Sequence, residues 1–250
     1  MRFRTGPKSI WMIRHGQSMG NVARDQAELE GHESFEIETR DADTPLSAEG
    51  EVQARAFGQW LGRQPDDELP TAVIASTYVR ARDTARIAMD AAGGELASLP
   101  IDTDERLRDR ELGVLDSLTW HGIRTLHPKE SERAIKLGRF YYRPPGGESW
   151  ADMKLRLRSL LGDVAREYTE DRILIVAHDV SIQLIASIID GLNEAEIIDL
   201  VLNTKYANCA LTQYDAGDTG YRLVRYNFTA PIAESDAAVT EEEDVKAGPR

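Results

Sequence analysis

Cysteine occurs once in the 250 residues, at Cys209, so neither an intrachain disulfide framework nor a cysteine-based zinc site can form within the chain. That usage is expected of a protein kept in a reducing compartment, and we read the chain as soluble and cytoplasmic. Long apolar runs are missing as well. The run nearest the start, Ile10 to Ile13, is too short for a secretory signal, and no stretch approaches the ~18 apolar residues of a membrane span. Cations are in deficit: 30 Lys and Arg stand against 43 Asp and Glu, a net charge of −13. Such a balance excludes general binding to nucleic acid or to an anionic membrane, which takes an excess of Lys and Arg on one face. It leaves room for a local cationic pocket and a small anionic ligand.

What is present is an ordinary globular mixture, 41% hydrophobic and 29% charged, long enough to bury a sizeable core. Three short apolar runs, Ser9–Ile13, Thr71–Ala75 and Arg172–Ala177, each end in a polar cluster, as strands buried on both faces should. Helical patterns lie between them. Val52, Ala56 and Trp60 recur at a four-residue spacing behind Ser47, a good N-cap. A second amphipathic face runs from Ser149 to Tyr168, and 182–189 is apolar nearly all round. Leu211–Tyr214 and Tyr221–Phe228 read as a hairpin around a turn rich in Asp and Gly. Strands alternating with helices predict an α/β sandwich whose ligands sit beyond the strand C-termini.

The charge is uneven along the chain. Residues 231–250 hold six acids and two bases, so this tail is expected to be disordered, leaving 1–230 as a single domain. Residues 22–45 hold eight acids and two bases without clear periodicity, whereas 124–143 hold six bases and two acids. Either segment can be plain solvated surface; the sharper expectation is that 22–45 and 112–145 form lids over a pocket. No internal repeat is visible.

The strand ends carry the chemistry. The first runs into Arg14-His15-Gly16-Gln17-Ser18, the second into Ser76, with Arg80 about one turn into the next helix, and the third into His178. An imidazole at such an end can act as a nucleophile if it is neutral and its other nitrogen is held. An adjacent guanidinium can grip a phosphate oxygen, and a helix N-terminus favours an anion. Two Arg and two His converging on one crevice suit a tetrahedral dianion. His32, His121 and His127 have no motif around them. No ligand set for a metal is apparent, so no metal or cofactor is expected.

These residues resemble the histidine phosphatase superfamily, the phosphoglycerate mutase-like proteins. Its Arg-His-Gly-x-Ser-x-x-Asn pattern matches Arg14, His15, Gly16, Ser18 and Asn21. The Leu-Ser-x-x-Gly-x-x-Gln-Ala stretch matches Leu46, Ser47, Gly50, Gln53 and Ala54. The Ser-x-x-x-Arg-Ala-x-x-Thr-Ala block matches Ser76 to Ala85, Gly-Gly-Glu-Ser matches Gly146 to Ser149, and the strand-ending His matches His178. The matches keep the family's order from about residue 9 to 180. The fold implied is a three-layer sandwich, a mostly parallel sheet with helices on both faces.

The resemblance implies that His15 is a nucleophile that becomes phosphohistidine, with Arg14, Arg80 and His178 as the clamp on the transferring phosphoryl group. Asn21, and Gln17 beside it, would hydrogen-bond a phosphate oxygen. His178 should be protonated with phosphate bound, and His15 neutral. The proton donor to the leaving oxygen falls at Asp109, where phosphoglycerate mutases carry Glu; Glu111 and Glu105 compete for the role. Three activities follow for comparison: a phosphomonoester hydrolase on a small phosphorylated metabolite, a mutase-type isomerase, and a non-catalytic phospho-ligand binder. The mutases' Gly-Trp segment ahead of the Leu-Ser block has no counterpart here, which favours the hydrolase, and the acidic 22–45 segment opposes a polyanion such as phytate. The bases Lys129, Arg133, Lys136, Arg139 and Arg143 are candidates for a second anionic group. Oligomeric state is not legible.

Overall fold

Ile10 and Met12 bury on one side of the first strand, Trp11 and Ile13 on the other. That two-residue alternation is what a strand covered on both faces requires. The computed structural model describes residues 6–241. Their strands are β1 (Ser9–Arg14), β2 (Ala72–Ser76), β3 (Ile101–Asp104), β4 (Arg172–Ala177), β5 (Leu211–Gly217) and β6 (Gly220–Phe228). They form one sheet in the order β3-β2-β4-β1-β5-β6. The β1–β4, β2–β4 and β2–β3 pairings are parallel, while β1–β5 and β5–β6 are antiparallel. Facing residues share a side, Trp11 beside Leu174 and Met12 beside Ile175.

The helices among the described residues are α1 (Met19–Glu30), α2 (Ala48–Leu61), α3 (Val79–Ala92), α4 (Trp120–Leu126), α5 (Pro128–Leu137), α6 (Trp150–Glu167), α7 (Asp179–Asp190), α8 (Glu194–Asn203) and α9 (Ala230–Ala233). Buried residues of α6, α7 and α8 pack on the Ile10, Met12, Ile173 and Ile175 face. Those of α2 and α3 cover Trp11, Ile13, Leu174 and Val176. The three-layer sandwich expected from the sequence is present, each fully buried Leu or Ile contributing about 1.5–3 kcal/mol of transfer free energy. No helix among the described residues is long and apolar enough to cross a membrane.

Several elements lay outside the sequence expectation, α1, β3 and α8 among them. α1 occupies part of the acidic segment; it buries only Asn21 and Ala27, so it has almost no apolar stripe to detect. β3 is a four-residue edge strand, Ile-Asp-Thr-Asp, held by backbone pairing to β2 rather than by burial. α8 follows α7 after one turn and was not recognised, although Asn193 and Glu196 form a capping box.

The tail requires a correction. Disorder was expected over 231–250, yet 231–241 pack on the body, with Ile232 and Ala237 buried against the α2–α3 layer. Ala207 bridges Glu241, and Gln53 donates to the Ala238 carbonyl (2.9 Å) and to Thr240 Oγ1 (2.8 Å). The acids of this stretch remain solvated while its small apolar residues find a groove. The Glu242–Asp244 part of the acidic run lies outside the described residues.

The two charged segments come together above the sheet. Phe35 N donates to Ser117 O (3.0 Å), Ser34 bridges Leu118, and Thr119 N donates to Glu33 O (3.1 Å). Gly122 sits so close to the Glu33 carbonyl that a Cβ there would collide with it. One joined roof thus replaces two separate flaps.

Candidate active site

β1, β2 and β4 lie side by side and all end at one edge, so the residues that follow them share a crevice. His15 N donates to the Ala177 carbonyl (2.9 Å), stitching the ends of β1 and β4 together. Gly16 N donates to Thr84 Oγ1 (2.9 Å) on α3. The loop then passes α2 at van der Waals range. A Cβ at Gly16 would stand 2.4 Å from Gly50 O, and one at Gly50 would stand 2.0 Å from Gln17 O. Both matched glycines are therefore fixed by close backbone approach.

His15 is fully enclosed, 2% exposed. Its Nδ1 lies 2.7 Å from the Gly16 carbonyl, an oxygen that only accepts, so Nδ1 carries the proton and Nε2 keeps its lone pair. Arg80 Nε approaches that Nε2 at 3.3 Å. Burial, with Arg80, His178 and Arg14 nearby, holds the His15 pKa well below the ordinary 6.5, so the ring is neutral at physiological pH.

Arg80, second residue of α3, has every nitrogen engaged. Nη1 donates to Asp41 O (2.7 Å) and Oδ1 (3.0 Å), and Nη2 to Asp41 Oδ2 (3.3 Å) and Asp109 Oδ2 (2.9 Å). Arg14 is buried at the end of β1 and donates to the Tyr206 carbonyl (2.6 Å). Burial favours the acid form of Asp109, but His178 and Arg80 outweigh it and hold the carboxyl well below its usual range. The loop carrying Asp109 is braced from behind by Arg156, which donates to Arg106 O (2.5 Å), Asp109 O (3.1 Å) and the Glu148 carboxylate. Glu148 is thus structural.

Of the residues named from sequence, Arg14, His15, Asn21, Arg80 and Asp109 all line one cavity of about 160 Å³. Asn21 also closes the capping box of α1, its Oδ1 accepting from Ser18 N. One placement differs from expectation. Gln17 turns away, its carboxamide oxygen accepting from Ser47 (2.8 Å), and does not line the cavity. His178 is wholly buried beside both His15 and Asp109, its ring edge-on to that of His15 at 5.1 Å, Nδ1 3.1 Å from Asp109 Oδ2 and Nε2 3.0 Å from Ser76 Oγ. Burial pulls its pKa below the ordinary value despite that carboxylate, so without a dianion in the cavity the neutral ring is favoured. Glu111 accepts from Tyr78 Oη (3.1 Å), and neither it nor Glu105 lines the cavity. Sequence reasoning missed Asp41 altogether, since nothing in an irregular acidic stretch distinguishes one carboxylate from seven others.

His15, Asp109 and His178 each offer one potential metal ligand within 4.8 Å of the others. The Arg80 guanidinium lies against two of the three, which places a fixed positive charge where a cation would bind. That donor set suits an anion.

A buried neutral imidazole flanked by arginines at the end of a parallel strand places this chain among α/β proteins with an anion-suited crevice. Residues 10–229 match the histidine phosphatase superfamily (branch 1), and the chain belongs to it. It is 29% identical over 195 residues to a 2,3-bisphosphoglycerate-dependent phosphoglycerate mutase of Methylobacterium radiotolerans, covering 77% of this chain and 84% of that one. A solved mycobacterial glucosyl-3-phosphoglycerate phosphatase superposes with TM-score 0.65 at 25% identity, over 88% of this chain and 99% of that one. The phosphoglycerate mutase of Bacillus anthracis superposes with TM-score 0.68 over 93% and 98%; at 17% identity it shares the fold.

Proposed function

We propose that the chain is a metal-independent phosphomonoester hydrolase that works through phosphohistidine at His15 on a small phosphorylated metabolite. The observation that carries this is the His15 ring: proton on Nδ1 toward Gly16, and an unprotonated Nε2 that accepts from the Arg80 guanidinium beside it, in a residue that lines the cavity. Nε2 attacks phosphorus, forming the P–N bond as the bond to the leaving oxygen breaks. Asp109 delivers its proton to that oxygen and the alcohol departs. Water then attacks phosphohistidine, its proton passing to Asp109, and phosphate leaves with His15 neutral again. Arg80 and Arg14 neutralise the equatorial oxygens throughout, which is most of what phosphoryl transfer asks of a protein. His178, its ring 5.1 Å from that of His15, completes the clamp and stands 3.1 Å from the Asp109 carboxylate.

Asp109 must enter the reaction protonated although the open site keeps it ionised. A substrate dianion seated on Arg80 draws that cation away and adds negative charge beside the carboxyl; both raise its pKa. The superfamily contains mutases as well as phosphatases, and isomerase activity is the second reading because the Methylobacterium relative is a mutase. Aspartate in place of glutamate at 109 and the missing Gly-Trp segment favour hydrolysis. The test is incubation with an aryl phosphate and, separately, with 3-phosphoglycerate plus catalytic bisphosphoglycerate, in the presence of a chelator. Phosphate release from the first, lost in His15→Ala, is expected. Isomerisation of the second without hydrolysis makes the chain a mutase, and failure to form an acid-labile phosphoenzyme from any ester makes it a binding protein.

A further inference from the structure

The cavity above His15 has two unlike halves. Its floor holds the guanidiniums and imidazole described above, whereas its upper wall is built from Phe35, Ile37, Leu112, Leu115, Ile123 and Tyr142. These come from both charged segments, so stretches dominated by charge in the sequence turn apolar side chains inward. Of the bases between 124 and 143, none lines the cavity. Lys129, Arg133 and Lys136 point to solvent, and Arg143 pairs with Asp152. The second anionic site expected there is absent from the described residues.

Two other bases do reach the wall. Arg110 is committed to the backbone, donating to Glu148 O (2.9 Å) and Tyr142 O (3.4 Å), and Arg24 is likewise engaged with the protein. Carboxylates face them. Asp41 holds Arg80 through three hydrogen bonds, and Asp116 and Asp179 line the same cavity. A ligand with one phosphate and an uncharged, largely apolar remainder meets cations below and hydrocarbon above. A ligand with a second phosphate or carboxylate must bring that charge among apolar side chains and fixed acids, losing hydration without a committed partner.

Building on the phosphatase assignment above, we propose that the substrates are monophosphate esters of uncharged, predominantly apolar alcohols, and that Asp41 is the specificity-determining residue that turns away doubly anionic ligands. Asp41 occupies the fork of Arg80 until a phosphate displaces it, and its carboxylate then stands beside the ligand's remainder. One unfavourable anion there tells against phosphoglycerates and bisphosphates while costing an aryl or alkyl ester little.

The experiment measures binding and turnover separately on the full chain. Binding of benzylphosphonate and of phosphonoacetate, neither hydrolysable, is followed by calorimetry, and release of phosphate from phenyl phosphate by colour. Benzylphosphonate is expected to bind about 100-fold more tightly, an effect of the size that apolar pockets and buried charge mismatches produce. In Asp41→Asn both ligands should gain affinity, phosphonoacetate by about tenfold more than benzylphosphonate, narrowing the ratio. Equal or tighter binding of phosphonoacetate to the unaltered protein overturns the substrate class, and a ratio unmoved by Asp41→Asn overturns the role of Asp41. Preference for benzylphosphonate without phosphate release from phenyl phosphate sinks the hydrolase assignment and leaves the pocket's selectivity standing.

Discussion

The floor and the roof of the crevice are made in opposite ways. The floor is the ends of β1, β2 and β4 with the first turn of α3, elements buried on every side and bonded to one another. The roof is two segments, 22–45 and 112–145, that touch the sheet little and hold each other through backbone bonds around Phe35, Ser117 and Thr119. Charge on the floor is concentrated and enclosed; on the roof most of it faces outward, a few groups such as Asp41 and Asp116 reach the cavity, and apolar side chains face in. The contrast teaches where each property of the protein is stored. Chemistry needs atoms fixed to a few tenths of an ångström and resides in the rigid layer. Selection among substrates needs only a shape and a sign of charge, and it resides in the layer that can change without disturbing the core.

Substitutions in the two layers should separate kcat from KM. The largest effect is expected at His15→Ala, which removes the attacking nitrogen; phosphate release should fall by at least about 10³-fold and the acid-labile phosphoenzyme should vanish. Asp109→Asn comes next, lowering kcat by roughly 10²–10⁴-fold for an alkyl phosphate. The loss should be smaller for an aryl phosphate, whose leaving oxygen needs less protonation. Equal losses for both esters would remove Asp109 from the role of acid.

On the roof, Ile37→Ala should raise KM for phenyl phosphate by about tenfold with kcat within about twofold. A fall in kcat matching that at Asp109 would erase the division between floor and roof. At the outer surface, Lys129→Ala combined with Lys136→Ala should change kcat/KM by less than about twofold, since both side chains are solvated. A tenfold loss there would restore the second anionic site.

Mild acid bears first on the histidines of the floor. His15 and His178 both have pKa values below 6.5 in the folded chain, so the unfolded chain takes up protons first as pH falls. Stability is full above about pH 6.5 and declines below it, and the melting temperature should drop between about pH 7 and pH 5. Asp109, whose carboxyl is also held below its ordinary value, adds stability that is lost only under more acidic conditions, as pH falls below its unfolded value of 3.8. Activity should behave differently from stability. His15 stays neutral through the ordinary histidine range, so kcat/KM for an aryl phosphate should not fall with a midpoint near 6.5 on the acid side. Measured pH profiles of melting and of turnover, side by side, check both.

Legibility in the sequence followed the same division. β1, β2 and β4 announced themselves because burial on both faces leaves an unbroken apolar run, and α2, α6 and α7 because one broad face meets the sheet. The residues at those strand ends could be assigned to one crevice before any coordinates were known. What escaped had little burial to record it. α1 and β3 depend on capping and backbone pairing, which leave no hydrophobic period. Gln17 stands next to His15 in sequence but its side chain belongs to Ser47, a partner thirty residues away. Asp41 is the inverse: remote in sequence, without motif, and in contact with the clamp.

The strap formed by the last described residues bears on the order in which the molecule is made. Asn208 donates to the His15 carbonyl (2.9 Å) across 193 positions, and Thr240 Oγ1 donates to Asn208 Oδ1 (2.9 Å). Gln53, whose Oε1 accepts from Gln17 N (2.8 Å), is held by Ala238 and Thr240. The loop is thus braced only once residues about 190 to 220 positions further along the chain have been made. A premature stop or a proteolytic nick ahead of Ala237 would spare every motif residue and still strip the brace from the nucleophile's backbone. Unfinished copies would carry the full signature of the site while lacking the support that sets it.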